Sequence, residues 1–153
     1  MRITANESAL EEIRDHLERC DSQFLPALSE RVDILSYAAK IRANALTFEA
    51  WDGSELVGLV AAYVDRINAS CFITSVSVLR GWGGRGIATA LLEALVSQTR
   101  SLNIETVTLE VSKRSAALEL YRKLRFEQVA ERDDLAVMQL RYARGELPRE
   151  GST

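Results

Sequence analysis

The chain predicts a mixed α/β fold of the α+β kind: a central, mostly antiparallel sheet of about seven strands, one βαβ crossover and four helices. Three observations carry this prediction. The apolar pattern changes from helical to alternating spacing near residue 45, and two apolar runs then meet at Asp52-Gly53, which marks an antiparallel hairpin. Residues 76 to 92 pass without a break from a strand through a glycine-dense loop into a helix. Ile104 to Val111 alternates again, so residues 70 to 111 read as a βαβ unit.

In chain order, residues 1 to 4 form a short strand, and Ser8 with Glu11 makes a capping box that opens a helix to about Cys20. The loop Asp21 to Leu28 follows, and Ser29 is placed to cap a second helix through Ala43, with Ile34, Ala38 and Ile41 in one apolar row. Ala45 to Trp51 and Glu55 to Val64 pair as the hairpin. The near-continuous apolar run Leu56 to Val64 marks a central strand covered on both faces. Ser70 to Val78 leads to the glycine loop, after which Ile87, Ala90, Leu91, Ala94 and Leu95 stripe a helix. A shorter helix, Ser115 to Leu124, buries Ala117, Leu120, Tyr121 and Leu124. Strands Phe126 to Glu131 and Leu135 to Arg141 turn at Asp133-Asp134. Residues 1–141 thus form a single domain, and the charged stretch 142–153 is expected to be a flexible tail.

Composition narrows the function. A net charge of -3 and a pI near 5.3 argue against a nucleic-acid or anionic-membrane partner. With no cleavable signal and no apolar run approaching twenty residues, a soluble cytoplasmic protein is expected. Cys20 and Cys71 have no metal or redox spacing and read as packing residues. His16 is the single histidine, so no metal site and no His-based triad is expected.

The loop holds Gly81, Gly83, Gly84 and Gly86, four of the eight glycines, directly before a helix N-terminus, where bare amides and the helix dipole favour a diphosphate. Gly81-Trp-Gly83-Gly-Arg-Gly86 is literally G-x-G-x-x-G, the dinucleotide fingerprint of an oxidoreductase. Its acidic partner would be Glu105, which stands at the start of its strand instead of the carboxyl end, and the chain has no second βαβ half.

A second reading covers more residues. Gly83-Gly84-Arg85-Gly86-Ile87-Ala88, Leu109-Glu110-Val111 and Ala117-x-x-Leu120-Tyr121-x-x-x-Arg125-Phe126 together resemble the GNAT acetyltransferase superfamily from Phe72 to Phe126. Three positions depart from its pattern: Gly83 stands where Arg or Gln is usual, Arg114 where Asn is usual, and Arg125 where a glycine ends the helix. The resemblance implies an acetyl-CoA-dependent N-acetyltransferase. Backbone groups of Val76 and Val78 would hold the pantetheine, and Gly84, Arg85, Gly86, Ile87 and Ala88 the diphosphate. Tyr121 would be general acid to the thiolate beside the cofactor, and Glu110 the base, with Glu49 or Asp65 as alternatives. Trp82 is left as a packing or substrate-stacking residue. The basic set Lys113, Arg114, Arg122, Lys123 and Arg125 reads as a solvated face with one or two members in reach of the 3′-phosphate. The run Phe24 to Asp33, with Phe48-Glu-Ala-Trp51, resembles members found with surface-polysaccharide genes, which implies an amino sugar among small-molecule primary amines. Transfer is expected to be direct, in a ternary complex. A non-catalytic acyl-CoA-binding module is the other alternative, and the oligomeric state, a homodimer included, is left open.

Overall fold

A computed structural model describes residues 1–142. The elements run β1 (Arg2–Ala5), α1 (Leu10–Cys20), α2 (Ile34–Asn44), β2 (Leu46–Asp52), β3 (Glu55–Asp65), β4 (Ser70–Val78), α3 (Ile87–Ser101), β5 (Thr106–Ser112), α4 (Ala117–Lys123), β6 (Glu127–Arg132) and β7 (Leu135–Arg141). Two short 3₁₀ turns, Asp21–Gln23 and Leu28–Glu30, link α1 to α2. The seven strands make one sheet in the order β1-β2-β3-β4-β5-β7-β6. Among the described residues only β4 and β5 are parallel, so the one βαβ unit there is bounded by hairpins, which removes the dinucleotide-fold alternative.

One apolar cluster lies under α3 and α4, built on Phe48, Val60, Ile73, Leu91, Leu95, Leu109 and Phe126. The other lies under α1 and α2, where Ile13, Leu17, Ala38 and Ile41 pack on Leu59 and Ala61. β3 runs between them and is buried from Leu56 to Ala62, as its unbroken apolar run requires. Gly58 lets α3 lie close to this strand, because a β-carbon there would come within 2.6 Å of Ile87 Cγ2. In α3, Ala90 is exposed and Leu92 joins the buried row instead, so the covered stripe is turned round the helix from the one the sequence implied.

Several local expectations shift because other donors and acceptors compete. Ser8 does not cap α1: its amide and hydroxyl go to the buried carboxylate of Glu49 at 3.3 and 2.8 Å. Only the return half of a box forms, one residue later, where Glu12 Oε1 accepts the Ala9 amide at 2.8 Å, and the Ala9 methyl accepts nothing in exchange. Ser29 does not cap α2, since both its donors bond Asp21 at 2.7 Å. Asp33 caps that helix through Ser36. The hairpin loop is Gly53-Ser54, one residue later than Asp52-Gly53, because Asp52 pairs with Glu55 and only Gly53 takes the left-handed φ of 58°. In α4, Tyr121 is buried while Ala117, Leu120 and Leu124 are half-buried. Tyr142, expected to begin the tail, is 8 % exposed and bonds Thr99 and Val96 through its hydroxyl. Residues 143–153 lie outside the described residues.

α1 is fastened to the sheet by His16. Its Nδ1 donates to Leu56 O and its Nε2 accepts from Ser77 Oγ, both at 2.9 Å, with Cys20 Sγ 3.7 Å away. The carbonyl can only accept, which puts the proton on Nδ1. Burial, with Arg19 adding a smaller push, lowers the His16 pKa from 6.5 against the opposing hydrogen bonds. The unfolded chain therefore binds this proton more readily than the native one, so the stabilisation is complete above about pH 6.5 and is lost as pH falls below it. Melting temperature should decline between pH 7 and 5.5, and His16→Gln, less stable at pH 7, should decline less over that range. Parallel profiles would show that His16 does not titrate with folding.

Candidate active site

The site begins with a backbone irregularity. Ala61 pairs with Ser75 and Ala62 with Ile73, so Thr74 is an extra residue in β4. The parallel ladder to β5 ends one residue earlier, at Ile73 and Leu109. Beyond this point β4 remains paired to β3 and β5 to β7, while the facing edges of Thr74–Val78 and Glu110–Ser112 are unpaired with each other. The result is a fork in the sheet. Leu79 N donates to Val57 O, so by alternation Ser75 and Ser77 turn their backbone groups to β3, while Val76 and Val78 turn theirs to the open edge. Tyr37 of α2 supports the bulge: its hydroxyl donates to Thr74 O and accepts from Thr74 Oγ1, both at 2.7 Å.

The glycine loop lies at the mouth of the fork. Gly81, Gly84 and Gly86 have φ of 94°, 75° and 77°, a region that L-residues enter only with strain. Gly86 is the N-cap of α3, no side chain caps that helix, and the first bond back to it comes from Ala90 N. Its leading amides are thus available to an anion. Nothing lies within 4 Å of a β-carbon built on Gly83, Gly84 or Gly86, so backbone conformation, not crowding, demands glycine at 84 and 86. Arg85 folds back over Trp82, 4.5 Å from the ring centre, with a 3.4 Å bond to Gly81 O. Trp82 packs against the α3-side cluster, and Ile87 is buried there, leaving only its amide for a ligand.

Tyr121 and Glu110 flank the fork from opposite faces. Tyr121 is 5 % exposed in the α3/α4 cluster that also holds Ile73 and Leu109, with Val76, Val78 and Val111 packed against it. Burial pushes its hydroxyl up to about 12. Glu110 alternates with Val111 and so looks the other way. Arg132 of β6 meets its two oxygens at 2.9 and 2.6 Å. The two alternative carboxylates are engaged elsewhere. Glu49 is fully buried and accepts from Thr4, Glu7, Ser8 and Thr47, tying the N-terminal segment to β2. Asp65 caps its own turn through Asn68 and pairs with Ser70, at the end of β4 remote from the fork. Cys20 and Cys71 are buried free thiols pushed up by burial to about 11 and about 12, unsuited to act as nucleophiles. Of the basic set, Lys113 pairs with Glu131 and Arg122 with Glu119.

Tyr121 is set by the way α4 ends. Arg125 N bonds Arg122 O at 2.9 Å and Phe126 N bonds Tyr121 O at 3.0 Å, a Schellman pair, and the Phe126 ring meets Tyr121 edge-on at 5.9 Å. Arg125 carries the required left-handed φ of 73° without being glycine. Arg125→Gly should therefore stabilise the fold by about 1 kcal/mol, raising the melting temperature by about 2–4 °C, and Arg125→Val should lower it. A loss of stability in Arg125→Gly would mean the arginine side chain contributes more than its backbone strain costs.

Residues 10–126 match the family model described as acetyltransferase (GNAT) family. No curated protein sequence matches significantly. Among solved structures, the PaiA N-acetyltransferase of Thermoplasma acidophilum in complex with coenzyme A superposes with a TM-score of 0.74 at 14% identity, covering 93% of this chain and 100% of that one. The ribosomal-protein-S18-alanine N-acetyltransferase of Escherichia coli gives 0.73 at 18%, covering 92% and 94%. A Bacillus subtilis acetyltransferase in complex with CoA gives 0.69 at 19%, covering 93% and 99%. With more than half its length matched and the sheet, fork and glycine loop in place, the chain belongs to the GNAT family of acetyl-CoA-dependent acetyltransferases.

Proposed function

We propose that this acetyltransferase moves the acetyl group directly from acetyl-CoA to a primary amine of a small molecule, an amino sugar being the favoured acceptor. The observation that carries this reading is the fork, with Tyr121 on one face of the sheet and Glu110 on the other. The open-edge groups of Val76 and Val78 fit the amides of a pantetheine arm as a further strand would. The turn at Gly84, Arg85 and Gly86 with the amides of Ile87 and Ala88 fits a diphosphate. Arg85 reaches that anion by leaving Gly81 O, a long bond that costs little to break.

The chemistry needs a neutral amine, a stabilised oxyanion and a proton for the departing thiolate. Entering from the Glu110 face, the amine would donate to that carboxylate directly or through water, while unpaired β4 amides meet the carbonyl oxygen. Tyr121, protonated throughout the neutral range, lies on the far side where sulfur leaves, and it delivers a hydrogen bond and then a proton as negative charge grows. Both thiols are buried, so the described residues expose no cysteine as an acyl carrier, which favours direct transfer.

CoA release measured across amino sugars, amino acids, polyamines and peptides with a free N-terminal alanine tests the acceptor class. Small amines should turn over, and activity confined to the peptides would replace this reading with a protein acceptor. Tyr121→Phe should lower kcat by roughly ten- to a thousandfold while leaving acetyl-CoA affinity nearly unchanged. An unaltered chemical step would remove Tyr121 from the mechanism. Glu110→Gln should depress kcat/KM most at low pH, where free amine is scarce, and recover as pH rises. A profile parallel to that of the unaltered enzyme would leave Glu110 with a positioning role only.

A further inference from the structure

The bulge leaves a backbone carbonyl at the closed end of the fork that β5 does not take up. Ser75 pairs with Ala61 and turns its amide to β3. A trans peptide points its carbonyl opposite to its amide, so the Thr74 carbonyl faces the open edge. It is the first carbonyl of β4 beyond the last pair with β5, Ile73 and Leu109. Tyr37 of α2 reaches it from the α1/α2 side of the sheet: its hydroxyl donates to Thr74 O at 2.7 Å and accepts from Thr74 Oγ1 at 2.7 Å. The carbonyl can only accept, so it takes the one phenolic proton, and the Thr74 hydroxyl supplies the other and polarises the phenol as a donor. Burial raises the Tyr37 pKa from its ordinary value against the pull of its hydrogen bonds and Arg31, so that proton stays in place throughout the neutral range.

The next open-edge group along β4 is the Val76 amide. An acceptor and a donor thus stand side by side where the thioester of a pantetheine paired to this edge would lie. The thioester oxygen gains negative charge as the amine attacks; the amide attracts it and a bare carbonyl repels it. A proton fixed on Thr74 O offsets that repulsion with no reorganisation during the reaction. We infer that Tyr37 is a positioning residue for acetyl transfer: by engaging the Thr74 carbonyl it leaves the closed end of the fork to the Val76 amide, which meets the developing oxyanion. This rests on the fork being the place of transfer and is independent of which amine accepts. A tyrosine that only satisfied a buried carbonyl would add stability and leave the rate alone.

The test uses the full chain, acetyl-CoA and the amine or peptide of the panel above that turns over fastest, with the chemical step followed by rapid mixing. Tyr37→Phe should slow that step by about ten- to a hundredfold, with acetyl-CoA Kd and acceptor KM within about twofold of the unaltered enzyme. Its melting temperature should fall, because the carbonyl loses its partner. Ile13→Val, a core change in the same cluster but on α1, should also lower the melting temperature and leave the step unchanged. A tyrosine fluorinated beside its hydroxyl, placed at residue 37 alone, keeps the shape and is a stronger donor, so it should hold or raise the rate. An unaltered step in Tyr37→Phe would overturn the inference and leave a purely structural bond. So would an equal loss in Ile13→Val, a weaker acetyl-CoA affinity that accounts for the whole effect, or a fluorinated enzyme slower than the unaltered one. No turnover of any amine or peptide by the unaltered enzyme would instead overturn the reading of the fork as a transfer site, a separate failure.

Discussion

β4 and β5 must be held together at one end and apart at the other, and Thr74 is where the two demands meet. A parallel ladder that continued past Ile73 and Leu109 would satisfy the backbone of both strands and leave no room between them. The inserted residue shifts β4 by one position relative to β3, bends it away and reverses which side chains face α2. Val76 and Val78 then pack toward α3 while their backbone groups meet an open edge, and Ser75 and Ser77 turn to α1 and α2. A carbonyl freed by a bulge would be costly if buried alone, by about 1–3 kcal/mol, and Tyr37 removes that cost at Thr74. α2 therefore takes part in the site without being near the glycine loop in sequence.

The second element of precision is the end of α4. Tyr121 is fixed by its own carbonyl, bonded by Phe126 N, and by the ring of Phe126, so the residue after the helix determines where its hydroxyl lies. Arg125 adopts the conformation this geometry needs although glycine would adopt it with less strain. Glu110 is similarly fixed from outside its strand. Arg132 and, one residue away, the Glu131–Lys113 pair clamp the β6–β7 turn to the end of β5. Exposed pairs of this kind add little stability, and their value here lies in where they hold the carboxylate.

Strands and helices were legible because their signals are local. Alternation in β5, the continuous apolar run of β3 and the glycine loop all predict their elements within a few residues. The caps were not legible, because Ser8 and Ser29 each had a stronger partner brought from elsewhere, Glu49 across the sheet and Asp21 across a loop. The surroundings of Glu49, an alternative base in the sequence, were hidden in the same way: besides neighbouring Thr47, its donors come from Thr4, Glu7 and Ser8, far from it along the chain. Within the site, Gly84, Gly86 and Tyr121 stood out through motif spacing. Tyr37 did not, since a bulge leaves no fixed sequence mark and its bond to Thr74 exists only once α2 lies across β3 and β4.

This arrangement bears on how the two substrates meet. The same short stretch of β4 turns the Val76 backbone to the open edge, so a pantetheine arm paired there and an acceptor entering beside Glu110 would meet within the fork. Groups so close need no carrier to pass an acetyl between them, and holding both reactants in register is itself worth a large part of a bimolecular barrier. Tyr37 ties α2 to this region: its single proton holds the Thr74 carbonyl while its ring packs in the α1/α2-side cluster, so the seating of α2 bears on the bulge from which the fork opens.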